Sequence, residues 1–369
     1  RSTLMRSSAA SDVYKRQVMG IEINPGLDKS DFKIVYSPQH GADNIPVRTC
    51  LKRLGYDIVP VLAQCAPDPD YTNTKSPNPE VDASYELAIK LAKEVDADVV
   101  AITDPDGDRL GVVAKHNGEY VLMSGNQSAA VYLEYILSQR KEKGTLPDNA
   151  VMYNTIVTSD LGELVARNYG VDVEKTLTGF KFIGDKIRKY EKTHEKQFIF
   201  GYEESYGCVV EDFVRDKDAV QAVLLAAECG NYYKKQGKDL IDVLNELYAK
   251  YGTFKESQIA LAKAGAAGAA RIKEMMDTLR QDKPTEIGGV KVVLSEDYAT
   301  SERSDGTTID LPKSNVLKYY LEDGSWIAAR PSGTEPKCKF YFSIKGKDAK
   351  DAADKTEVFH KAMMELIGE

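Results

Sequence analysis

Asp104-Pro105-Asp106-Gly107-Asp108-Arg109 places three carboxylates and a guanidinium in one short turn directly after the apolar run Ala97 to Thr103. Strand ends of this kind are where α/β sheets bind ligands. Two carboxylates about 4 Å apart repel by about 4 kcal/mol at an effective dielectric near 20, so three in one turn imply a cation. Oxygen-only donors select Mg²⁺ or Ca²⁺. An EF-hand loop needs glycine at its sixth position and glutamate at its twelfth; counted from Asp104 these are Arg109 and Lys115, which excludes that geometry. The bland alternative is a solvated acidic turn, since Asp-Gly pairs are common in turns.

Two further loops carry polar groups in useful combinations. Gly201-Tyr202-Glu203-Glu204-Ser205-Tyr206-Gly207 follows the apolar stretch at Phe198 and brackets a carboxylate and a hydroxyl between glycines. A carboxylate accepts from two hydroxyls and serine both donates and accepts, so Glu203 and Ser205 suit neighbouring sugar hydroxyls. Arg330-Pro331-Ser332-Gly333-Thr334-Glu335-Pro336 combines an arginine fork with two hydroxyls and the backbone N–H groups around Gly333. Such a set makes a phosphate clamp, with a plain proline-glycine turn as the alternative. His40, His116, His194 and His360 have no spacing that suggests a metal site or a triad.

The elements that must position these loops follow from periodicity. From Phe32 to Thr103 the pattern alternates strand, helix, strand, helix, strand, and a hairpin around Asn117-Gly118 follows. A second alternating unit runs from a helix at Gln127 to a strand at Gln197, closed by helices after Asp218 and Asp239, each with aspartate placed as N-cap. Past Tyr251-Gly252 the pattern changes to isolated strands and helices, ending in an amphipathic helix from Asp348 to Ile367. The expected fold is two successive three-layer α/β domains followed by a smaller α+β C-terminal domain. Residues 1–17 lack periodicity and an apolar core, so they are not a signal peptide. They resemble translated adapter sequence and are expected to be non-native, with credible pattern beginning near Val18.

The net charge of -8 argues against nucleic acid and anionic membrane as partners. Five scattered cysteines, Cys50, Cys65, Cys208, Cys229 and Cys338, show no metal-type spacing and fit reduced thiols, hence a cytoplasmic protein. No apolar run reaches membrane-spanning length.

The three loops, in this order, resemble the metal, sugar and phosphate loops of the α-D-phosphohexomutases, in the phosphoglucomutase and phosphomannomutase branch. Thr178-Gly179-Phe180-Lys181 and Arg215-Asp216-Lys217-Asp218 resemble that family's substrate-recognition loop and the basic loop after the sugar motif. The resemblance assigns 18–122, 123–252 and 253–369 to the second, third and fourth of the family's four domains. It implies interconversion of hexose 1-phosphate and hexose 6-phosphate, most closely for glucose, through a bisphosphorylated sugar. Mg²⁺ would be held by Asp104, Asp106 and Asp108, and glucose 1,6-bisphosphate would serve as intermediate and activator. Arg109 would face the transferred phosphate and Lys217 would move the sugar-hydroxyl proton, with Lys181 a weaker choice. Glu203 and Ser205 would hold hydroxyls, Arg330, Ser332, Gly333 and Thr334 would hold phosphate, and Lys181 and Arg215 would also bind substrate. The family's phosphoryl donor is a phosphoserine in a Thr-Ala-Ser-His-Asn-Pro-like segment of its first domain, and no such segment occurs here. Ser37-Pro38-Gln39-His40-Gly41 places a serine three residues before a histidine, but reads as the first turn of the second domain.

Two rival readings remain. A haloacid dehalogenase-type phosphatase or mutase would use Asp104 as nucleophile, which leaves the Arg330 loop unexplained. A sugar-phosphate-binding module without catalysis would bind and not turn over.

Overall fold

A computed structural model describes residues 2–333 and 335–369, with side chains described from residue 11 onward. The chain divides into two compact units, one of residues 1–156 and 161–247, the other of 157–160 and 248–369.

The first unit contains two sheets. In the first, Lys33–Ser37 lies between Asp57–Pro60 and Val99–Thr103 and runs parallel to both; Leu110–His116 and Glu119–Met123 extend the edge as the antiparallel hairpin. Every residue of Val99–Thr103 is buried, as expected of a parallel strand covered on both faces. Full burial of a side chain such as Val100 or Ile102 is worth roughly 1.5–3 kcal/mol. The helix Glu86–Val95 supplies Ala88 and Ala92 to this core, whose small side chains allow close approach to the sheet. In the second sheet the order is Asp172–Thr176, Ala150–Thr155, Gln197–Tyr202 and Cys208–Val209, parallel except for the last pair.

The helix Ala219–Lys234 joins the two. It is buried almost all round, which marks a helix packed on more than one side. Gly230 meets the first sheet so closely that a methyl group there would lie 2.7 Å from Phe32 Cζ. Its N-cap is Asp218, whose carboxylate accepts from Gln221 N. The helix Leu240–Tyr251 is capped in the same way by Asp239, which accepts from the amides of Ile241 and Asp242.

The second unit is an antiparallel sheet in the order Thr253–Ala262, Lys337–Gly346, Trp326–Pro331, Leu317–Leu321, Val290–Asp297 and Glu286–Ile287. The helices Gly265–Gln281 and Ala349–Leu366 cover one face, burying Met275, Phe340, Phe342 and Met363. This is the α+β arrangement expected.

Residues 2–17, which lack hydrophobic periodicity, are nonetheless helical. They belong to a helix, Ser2–Met19, in which Val18 is fully buried and the Tyr14 hydroxyl donates to Asp218 at 2.8 Å. The stretch Ser2–Met19 contains neither glycine nor proline, so a helix is available to it without an apolar stripe.

Candidate functional site

The acidic turn sits at the carboxyl end of Val99–Thr103, where strand-end geometry put it. Asp104 is 6% exposed, Asp108 is half-buried and Asp106 is open to solvent. Their carboxylate oxygens lie within 4.8 Å of one another. Asp104 Oδ1 accepts from the backbone N–H groups of Asp108 (3.1 Å) and Arg109 (3.0 Å), which curls the turn around that carboxylate. Burial pushes the Asp104 carboxyl up to about 7, and its acidic neighbours add to the shift. A set of hard oxygens whose charges are not balanced among themselves fits a small divalent cation.

Both flanks of the turn are packed by backbone. Ala42 N donates to Pro105 O at 3.0 Å, and Ala219 N donates to Gly107 O at 3.0 Å. The first contact comes from the turn after Lys33–Ser37, the second from the N-terminus of the buried helix.

The sugar-type loop lies beside it in the same unit. Leu110 N donates to Tyr206 O at 2.9 Å, so the residue after the acidic turn is tied to the loop at the end of Gln197–Tyr202. Tyr206 takes a left-handed φ of 69°, an uncommon state for a tyrosine that marks a constrained loop. Glu203 is buried, and its Oε1 accepts from Gly179 N at 2.8 Å, which joins the Thr178 to Lys181 segment to this loop. Ser205 is half-buried in the same turn. Glu204 Oε2 accepts from Thr155 Oγ1 at 3.1 Å.

Lys217 completes the cluster. Its ammonium meets Asp108 Oδ2 at 2.8 Å and lies 5.4 Å from the Phe180 ring centre. Its stem crosses Gly207, where a methyl group would be 2.1 Å from Lys217 Cδ. Burial works against the charge, but the carboxylates of Asp108, Asp216 and Glu203 together outweigh it and the ammonium's pKa is raised. Arg109 is held by Glu80 at 2.8 Å.

Not every predicted residue joins this group. Arg215 pairs with Glu191 at 2.8 Å, and exposed Lys181 lies 5.0 Å from the Phe182 ring centre. Arg330, Ser332 and Gly333 belong to the second unit. There Ser332 N donates to Lys337 O at 2.7 Å and Ser332 Oγ accepts from Glu335 N at 3.3 Å, closing the turn; a methyl group on Gly333 would meet open space. Thr334 lies outside the described residues. Ser37 and His40 do not pair: the Ser37 hydroxyl donates to Gln64 Oε1 at 2.6 Å, and His40 Nδ1 bonds Ala66 O at 2.7 Å.

Glu80 and Asp43 escaped the sequence reading. Nothing in the local pattern marks Glu80, which precedes the acidic turn by a helix and a strand. Asp43 had one signal, its place in the turn after the parallel neighbour of the metal-loop strand.

Three family descriptions match in chain order. They are phosphoglucomutase/phosphomannomutase alpha/beta/alpha domain II over residues 14–118, domain III over 124–251 and the C-terminal domain over 264–359. The chain belongs to the phosphoglucomutase/phosphomannomutase family. Among its relatives, the phosphoglucomutase of Staphylococcus haemolyticus is 38% identical over 93% of this chain and 62% of its own length. That of Staphylococcus aureus is 38% identical over 89% of this chain and 60% of its own length. The chain therefore spans about 60% of the length of these phosphoglucomutase relatives. Two solved structures share the fold. Parafusin, a phosphoglucomutase from Paramecium, superposes with a TM-score of 0.69 at 18% identity over 97% of this chain and 62% of its own. A phosphoglucomutase/phosphomannomutase family protein from Burkholderia thailandensis gives 0.67 at 18% identity over 96% of this chain and 64% of its own. Membership in the family leaves the haloacid dehalogenase-type reading without support. No described helix is long and apolar enough to cross a membrane.

Proposed function

We propose that this chain is the metal-, sugar- and phosphate-binding portion of a phosphohexomutase that acts on glucose phosphates. The observation that carries this reading is the junction of acidic turn, sugar loop and Lys217 in one unit, made by the Leu110–Tyr206 and Lys217–Asp108 contacts. The choice of glucose rests on relatives that are phosphoglucomutases.

In this reading Asp104, Asp106 and Asp108 hold Mg²⁺. A bound cation at the turn supplies polarisation of the phosphoryl group that is transferred. Glu203 and Ser205 accept from sugar hydroxyls and fix the ring. The tie from Gly179 N keeps one oxygen of Glu203 occupied and leaves the other for substrate. Arg109, steadied by Glu80, presents its guanidinium to the transferred phosphate. Lys217 enters as a cation and delivers its proton at the sugar oxygen that becomes a free hydroxyl, with Lys181 the weaker choice. Arg330, Ser332, Gly333 and Thr334 hold the phosphate that does not react, and Arg215 is a substrate-binding residue. A phosphoserine such as the family's first domain carries would give its phosphoryl group to the sugar phosphate and take one back from glucose 1,6-bisphosphate, so that two transfers of opposite direction interconvert the 1- and 6-phosphates. Positioning and charge neutralisation dominate phosphoryl transfer, which is what these groups provide.

Because no Thr-Ala-Ser-His-Asn-Pro-like segment occurs among the 369 residues, we expect the chain alone to bind without turnover. The domains are proposed to run 18–122, 123–252 and 253–369. Calorimetric titration with glucose 1,6-bisphosphate in the presence of Mg²⁺ tests the reading. Saturable binding that is lost with excess EDTA and exceeds that of mannose 1-phosphate supports it; heats indistinguishable from dilution would end it.

A further inference from the structure

Asp43 stands immediately before the helix Asn44–Leu54, in the N-cap position. An aspartate there ordinarily accepts a backbone N–H of the first turn from an extended backbone. Asp43 does neither: its backbone is helical, at φ -79° and ψ -6°, and its side chain makes no capping hydrogen bond. The residue is 6% exposed, and its Oδ2 is buried with no hydrogen-bond partner.

The carboxylate faces the back of the acidic turn. A methyl group on Gly107 would lie 2.6 Å from Asp43 Oδ1 and 2.7 Å from Oδ2, so only glycine at that position lets the carboxylate approach. The chain on either side is locked to the same turn. A methyl group on Gly41 would meet Pro105 Cα at 2.5 Å, and Ala42 N donates to Pro105 O. The orientation of Asp43 toward the turn is thus imposed by backbone packing.

The charges bearing most on Asp43 are Asp218, Asp104, Asp106 and Asp108, all of its own sign. Of the cations at the turn, Lys217 pairs with Asp108 and Asp216, and Arg109 pairs with Glu80 and also lies 3.8 Å from Asp104 and 3.6 Å from Asp108; none of these pairs includes Asp43. A buried carboxylate without donor or counter-ion is strongly unfavourable. Asp43 is also no direct ligand by geometry, since the oxygens that converge are those of Asp104, Asp106 and Asp108.

We propose that Asp43 is an outer anionic support of the cation site: its carboxylate lies behind Gly107, adds negative field to the acidic turn and raises the turn's affinity for a cation without being one of its ligands. The three ligands supply coordination and Asp43 supplies field. This rests on the metal-binding reading above and adds a residue to it.

Binding of Mn²⁺ to the 369-residue chain, followed by the loss of the free-ion paramagnetic resonance signal, tests the inference. Asp43→Asn is expected to weaken Mn²⁺ binding about 5- to 50-fold, the scale of one unit charge removed at several ångströms in a partly wet site. The metal-free melting temperature of the variant should not fall, because the substitution relieves an unpartnered carboxylate. Asp43→Ser, smaller and uncharged, gives the same readout if the asparagine variant folds poorly. Asp28→Asn, which removes an exposed charge, should leave Mn²⁺ affinity unchanged. Wild-type Mn²⁺ affinity in either Asp43 variant overturns the inference and leaves the metal site standing. Absence of Mn²⁺ binding to the wild-type chain overturns both.

Discussion

Replacing Gly41 by alanine separates the packing of the acidic turn from its chemistry. The new methyl would lie 2.5 Å from Pro105 Cα, 2.7 Å from Pro105 O and 2.8 Å from Pro38 O. All three are backbone atoms, so no side chain can swing aside, and ordinary contact requires about 3.4 Å or more. The turn after Lys33–Ser37 must therefore move off the acidic turn by roughly an ångström. Overpacking of this kind costs about 1–3 kcal/mol. Stretching the Ala42 N to Pro105 O bond adds about 1 kcal/mol. Gly41 has no positive φ, so none of the penalty comes from backbone preference. A loss of about 2–4 kcal/mol in a unit of this size lowers the melting temperature by roughly 5–15 °C. Gly26→Ala is the control: nothing lies within 4 Å and φ is not positive, so it should be neutral or slightly stabilising. Differential scanning fluorimetry with and without Mn²⁺ reads both effects, since a displaced Pro105 should also weaken metal binding. A Gly41→Ala protein that melts within 1 °C of wild type and binds Mn²⁺ equally, a threshold of about 0.3 kcal/mol, would refute the claim that the two turns form one rigid support.

Arg330→Ala should weaken glucose 1,6-bisphosphate binding by about 1.5–3 kcal/mol, the range for hydrogen bonds to charged groups; unchanged affinity in calorimetry would remove that loop from the site. Lys217→Met frees Asp108 from its ammonium partner and should tighten Mn²⁺ binding several-fold, whereas weaker binding would mean that Lys217 organises the turn rather than competing for it. The carboxyls of Asp104 and Asp43 are pushed up to about 7 and about 8 by burial and by neighbouring acids. The folded chain therefore holds protons between about pH 4 and 8 that the unfolded chain has released, and their contribution to stability falls as pH rises through that window. Without metal the melting temperature should decline from pH 6 to 8.5, and saturating Mg²⁺ should flatten the decline; equal slopes with and without Mg²⁺ would contradict it.

The strands, helices and three loops were legible because each has a strong local signature. The acidic turn follows a run of apolar residues, Asn117-Gly118 marks its hairpin, and Asp218 and Asp239 mark their helices. What could not be read depends on residues distant in sequence. Glu203 is held by Gly179 N and Lys217 by Asp108, pairs that only folding brings together. Asp43 reads locally as an ordinary helix cap, and its failure to cap is visible only in the backbone angles. The helix Ser2–Met19 was missed because its contacts, not its periodicity, place it against Asp218.

The buried helix Ala219–Lys234 bears on how the chain is made. Asn231 and Lys234 donate to the backbone at Asp28 and Asp31, Gly230 rests on Phe32 and Val99, and Ala219 holds Gly107. The first sheet thus obtains one of its covering faces from a segment synthesised more than a hundred residues later. At typical elongation rates that interval is roughly 5–20 s, during which Phe32 and Val99 lack their cover. The nascent first layer therefore keeps apolar surface at Phe32 and Val99 uncovered until the residues up to Lys234 have emerged, the kind of exposure that favours aggregation. For the same reason a cut placed between 122 and 123 should yield an N-terminal piece that aggregates, although it follows a boundary suggested by the sequence.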